Sequence, residues 1–144
     1  MTRLTIALGT LTLAVGCAGS SEDTGADSIL DPSGGMACAD GICVLSGTIT
    51  EDTTLTSDTT WLLRGGVFIG DDINPTVLTI EAGTTIYGET STDGMLVIRR
   101  NSQIMAEGTA EAPIVMTSSK APGTRARGDW GGLIINGNAP INAC

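Results

Sequence analysis

The sequence predicts an all-β fold built as a β-solenoid, a stack of short strands joined by bends, and three observations carry that prediction. Segments resembling one another recur at steps of about 18 residues, a signature of repeat architectures. Apolar residues alternate over short runs, and beyond the first 16 residues no stretch holds the 3.6-residue period of an amphipathic helix. Twenty glycines stand against two Trp, one Tyr and one Phe, so the chain is rich in turns and its core is aliphatic. A length of 144 residues gives room for one such domain.

Residues 1–16 read as an export signal. Arg3 supplies the positive start, and residues 4–16 are apolar, uncharged and too short for an ordinary membrane-spanning helix. The run Leu13-Ala-Val-Gly-Cys17 resembles a bacterial lipobox. That resemblance implies cleavage before Cys17, with diacylglycerol on its sulfur and an acyl group such as palmitate on its new amine. Two or more acyl chains make an anchor stable, at about 0.8 kcal/mol per buried CH₂. Ala18 after the lipidated cysteine favours, by the same resemblance, the outer membrane, on its periplasmic or cell-surface side.

The second segment, 17–45, is expected to be a tether. From Ala18 to about residue 37 it is small, acidic and without apolar period, so it buries too little to offset its ordering entropy. Cys38 and Cys43 flank an Asp40-Gly41 turn signal, and in an oxidising compartment they are expected to form a disulfide. A thiolate metal site is not expected. Four cysteines, one of them lipidated, are too few, and no histidine completes a set.

The third segment, 46–144, carries the repeat. Residues 61–70 lay over 78–87, 96–105 and 133–142, each copy reading apolar, any, apolar, then a second aliphatic six residues on. The predicted core ladders are Leu63, Ile80, Ile98, Ile135 and Ile69, Ile86, Ile104, Ile141, with Val97 outward by strand alternation. The starts give steps of 17, 18 and 37, the last read as two ordinary steps. The threonine-rich 48–61, with Ile49, Leu55 and Trp61 six apart, is expected to be an N-terminal coil covering the open end.

Composition also excludes functions. A formal charge of −9 repels phosphate backbones, so nucleic acid is not an expected partner. The absence of histidine removes Ser-His and Cys-His pairs and imidazole metal sites. Asp71, Asp72 and Asp93 sit at bends in a pattern that suggests solvated turns more than a calcium site. Arg99, Arg100 and Asp129 lack the paired-carboxylate spacing of glycoside cleavage. Two Thr-x-Thr units, at 48–50 and 54–56, fall short of an ice-binding array. The run 117–120 reads as a polar turn, and Trp130 before Gly131-Gly132 as a packing residue. No cofactor, metal or catalytic residue is expected.

Three stretches stand in order: Leu78-Thr-Ile-Glu-Ala-Gly-Thr-Thr-Ile-Tyr-Gly-Glu89, Gly108-Thr-Ala-Glu-Ala-Pro-Ile-Val-Met-Thr-Ser118 and Gly128-Asp-Trp-Gly-Gly-Leu-Ile-Ile-Asn-Gly-Asn-Ala-Pro-Ile-Asn142. Together they resemble the opening of a family of bacterial surface lipoproteins with a right-handed parallel β-helix and, for the most part, no assigned activity. The resemblance covers about residues 46–144. It implies fold and location, not a reaction. Family members continue for many more coils, so the chain is expected to be the N-terminal coils of a longer protein, with Cys144 having lost a downstream partner. Such an end predicts open strand edges and self-association. The expected function is that of a non-enzymatic outer-membrane lipoprotein, structural or adhesive, contacting polysaccharide or protein. The alternative is the first part of a carbohydrate-active β-helix enzyme whose catalytic coils lie beyond Cys144. Ice binding is a third, minor reading.

Overall fold

Short β-branched segments separated by glycine corners bury their inward side chains by stacking coil on coil. The computed structural model describes residues 34–139. These form ten strands: β1 Gly34–Ala39, β2 Ile42–Ile49, β3 Thr53–Leu55, β4 Thr60–Ile69, β5 Val77–Ile80, β6 Thr85–Gly88, β7 Met95–Ile98, β8 Gln103–Ala106, β9 Val115–Ser118 and β10 Gly132–Ile135. A single 3-10 turn, Thr90–Thr92, lies between β6 and β7. All pairings are parallel except that of β1 with β2. This is the parallel β-helix that the sequence predicts.

The helix has three faces. The first stacks 42–46 of β2, 60–64 of β4, then β6 and β9. The second stacks 47–49 of β2, 66–69 of β4, then β7 and β10. The third stacks β3, β5 and β8. Coils therefore begin at Ile42, Thr60, Thr85 and Val115. In the first two coils one strand serves both faces. It bends at Gly47 (φ 63°) in β2 and at Gly65 (φ 62°) in β4, a left-handed conformation that glycine adopts without Cβ penalty. In the third and fourth coils that corner opens into the loops 89–94 and 119–131.

The core is the inward set of the three faces. Cys43, Trp61, Ile86 and Met116 are paired in register, as are Ile49, Ile69, Ile98 and Ile135 on the second face and Leu55, Ile80 and Ala106 on the third. Burying each aliphatic contributes roughly 1.5–3 kcal/mol. Backbone groups freed at the corners are met by side chains: Thr76 Oγ1 donates to the Thr50 carbonyl and Thr84 Oγ1 to that of Leu55, both residues buried.

Several sequence expectations need correction. Leu63, Ile69, Ile80, Ile86 and Ile98 are buried as predicted, and Ile104 partly so, but they do not form the predicted ladders. Leu63, Ile69 and Ile80 belong to one coil and point inward from three different faces. Within the coil, the 17-residue step from 61 to 78 passes from the first face to the third. The 37-residue step from 96 to 133 is a single coil, since Leu133 pairs directly with Leu96. Ile135 is in register with Ile98 yet 59% exposed, and Ile141 lies outside the described residues. Val97 points outward but is only 7% exposed, because Phe68 and Ile134 flank it on neighbouring rungs. The threonine-rich stretch falls in the N-terminal coil as expected, with Ile49 on the second face and Leu55 on the third, each paired to the next coil, while Trp61 belongs to the second coil. The free edge of β2 is covered by β1, formed partly from 34–37, which the sequence assigns to the tether, while β3 ends its own sheet.

Candidate functional site

Strand alternation that sends Cys43, Leu45, Trp61, Leu63 and Ile86 inward sends their neighbours on the first face outward. Register then places Val44, Leu62, Tyr87 and Thr117 in one outward column. Ser46 and Arg64 begin the next, continued by Glu89 just past β6. The Arg64 guanidinium grips the Glu89 carboxylate with both ends, Nε to Oε2 at 3.1 Å and Nη2 to Oε1 at 3.1 Å. Thr92 Oγ1 donates to Oε2 at 2.8 Å and accepts from the Gly65 amide. The Arg64 hydrogen bonds, with help from Thr92, hold the Glu89 carboxyl below its ordinary range against a smaller opposing effect of burial.

One end of this face is bounded by the hairpin β1–β2. A groove of about 390 Å³ is lined by Ile42, Val44, Leu62 and Arg64 of the first face and by residues 37–40 of the hairpin. The other end is bounded by the loop 119–131. There Asp129, buried, accepts from Lys120 Nζ at 2.6 Å and from the Ala126 amide at 2.7 Å. These two bonds, Lys120 first, lower the Asp129 carboxyl below its ordinary range. Arg125 donates to the Lys120 carbonyl and sets its guanidinium 5.7 Å from the Tyr87 ring centre. The loop is seated by Trp130, which packs against the core where Gly88 leaves the inward position empty. A Cβ on Gly88 would lie 2.5 Å from that of Trp130. Trp130 is thus a packing residue.

The other residues considered from sequence are occupied by turns. Asp71 accepts from the Ile73 and Asn74 amides. Asp72 accepts from the Arg100 amide and ion-pairs with its side chain. Asp93 ends the 3-10 turn in a left-handed conformation. Arg99 stands over Phe68 on the second face, away from Asp129. Among the described residues no three acidic or cysteine side chains group as a metal site. Thr48 lies on the second face and Thr54 on the third, so the Thr-x-Thr units share no surface. Cys38 and Cys43 form the expected disulfide. Cys17 and Cys144 lie outside the described residues.

Sequence reading missed the Arg64–Glu89 and Tyr87–Arg125 partnerships. Each joins residues of different coils, and unequal corner loops remove any fixed spacing that would reveal them.

No curated protein and no solved structure matches the chain. A family model does match, over residues 47–144, running from the bend of the first coil onward. With the three-faced stack of parallel rungs, that match makes the chain a member of the pectate-lyase-like beta helix domain family.

Proposed function

We propose that this chain is a non-enzymatic β-helix module of a lipid-anchored outer-membrane protein, and that its first face holds a polysaccharide. The observation that carries this reading is the outward column Val44, Leu62, Tyr87, set on a rigid sheet beside the Arg64–Glu89 pair. Sugars present apolar ring faces and hydroxyl edges, and a flat apolar-aromatic row flanked by fixed polar groups meets both. Two carboxylates bordering the face, Glu89 and Asp129, are held below their ordinary range by their cation partners and are poor general acids.

Affinity electrophoresis against a panel of neutral and acidic polysaccharides tests binding. Retardation by at least one polysaccharide, reduced about tenfold or more by Tyr87→Ala, is the expected result. Equal mobility of both proteins in every gel overturns it. The family match is compatible with a second reading, a carbohydrate-active enzyme. Release of new reducing or unsaturated ends from any of these polysaccharides would establish that alternative. The anchor is tested separately: Cys17→Ser is expected to block processing and move the protein out of the detergent phase.

A further inference from the structure

Among the described strands β1 is the one antiparallel element, and none of its residues belongs to the core cluster. None of residues 35–39 is buried, and Met36 is 55% exposed. It lies along the free edge of β2, in register from Gly34↔Gly47 to Ala39↔Ile42, folded back through the two-residue turn Asp40-Gly41 with both φ positive (51° and 77°). Residues 37–40 also line the first-face groove. Among the described residues the one side-chain bond fixing this strand is Cys38–Cys43, and its two sulfurs differ in environment: Cys38 is exposed, while Cys43 is 6% exposed within the core.

We propose that β1 is a strap and the Cys38–Cys43 disulfide its redox latch, opened by dithiol reductants. A thiolate of the dithiol attacks Sγ of Cys38, the accessible sulfur, and the Cys43 thiolate leaves and takes a proton. The second thiol of the dithiol then displaces Cys38, which leaves as a thiolate and is protonated. The dithiol ends as a disulfide, having given two electrons and two protons. Cys43 then remains in the core as a small apolar thiol, so the coils stay intact. Only the strap, with no buried side chain to hold it, comes off. Its release uncovers the β2 edge and takes away one side of the groove.

Hydrogen exchange on the full chain tests this, with free thiols alkylated beforehand under non-reducing conditions and dithiothreitol as the dithiol. Amides of 35–39, and those of 42–49 that face β1, are expected to exchange about tenfold or more faster after reduction, and those of 42–49 that face β4, with those of β4 and β6, to stay within about twofold. Cys38→Ala, untreated, is expected to reproduce the reduced pattern. Three results overturn the proposal: unchanged exchange after mass shift confirms both thiols reduced, a disulfide that resists the dithiol in the folded protein, or protection lost in β4 and β6 as well.

Discussion

Cys38 and Cys43 are one bond with two different neighbourhoods. Replacing Cys38 by Ser places a hydroxyl in water and leaves Cys43 as a buried thiol, so only loop closure is lost. For so short a loop that is about 2 kcal/mol. Cys43→Ser loses the same closure and also buries a hydroxyl between the first-face residues Trp61 and Leu45. Its expected cost is larger by about 1–3 kcal/mol. Urea denaturation of both variants checks the order; equal midpoints would place Cys43 outside the core. A similar contrast holds on β7. Ile98→Ala, at full burial between Ile69 and Ile135, is expected to cost roughly 2–5 kcal/mol. Val97→Ala is expected to cost about 1–2 kcal/mol, since Phe68 and Ile134 shield it only from the sides. Thermal or urea midpoints of the pair decide whether the outer face contributes to stability.

At the scale of elements, the corner between the first and second faces distinguishes the coils. Gly88 and Trp130 act together there, the missing side chain of one making room for the other. Gly88→Ala is expected to unseat the 119–131 loop at a cost of about 1–3 kcal/mol. Trp130→Ala is expected to cost about 3 kcal/mol or more. Protease sensitivity within 119–131, rising in both variants, reports the unseating. The same corner makes stability depend on acid. Glu89 and Asp129 have folded pKa values below their ordinary 4.5 and 3.8. Their contributions are complete above those ordinary values and are lost as pH falls through the lower folded ones. The denaturation midpoint is therefore expected to be flat from pH 7 to about 5 and to fall below about 4. Glu89→Gln should lower the neutral plateau and flatten part of the acid slope; an unchanged slope would mean the Arg64 pair adds nothing.

Across the whole molecule, the β-helix was legible in sequence because inward aliphatics and corner glycines are local signals. Leu63, Ile80, Ile86 and Ile98 were rightly assigned to a core from alternation alone. Which of them stack was not legible. A repeat frame assumes coils of equal length, whereas here they begin at Ile42, Thr60, Thr85 and Val115, each longer than the one before. The added residues gather at corners, where loop length costs little, and a frame that ignores them pairs residues on different faces. The disulfide was legible because its whole context, Asp40-Gly41 between two cysteines, is a hairpin read locally. The outward column through Tyr87 was not, since columns run across coils and inherit every error in their length.

The hairpin β1–β2 also has a mechanical consequence. A pull on the chain before Gly34 loads the ladder from its open end, so pairs break singly, Gly34↔Gly47 first, instead of sharing the force. Peeling of this kind proceeds at low load until it meets a covalent stop. Here the stop is Cys38–Cys43, reached once 34–37 have come free and before any coil is strained. The oxidised chain should yield by roughly 3.3 Å for each of those freed residues and then stiffen. Reduced, it should run on through Gly41 to the start of the first rung. Extension traces from optical tweezers in the two redox states would show the difference as a longer first step. Force arriving at the N-terminal end would thus be held, until the stop is reached, to the low load at which this short segment peels.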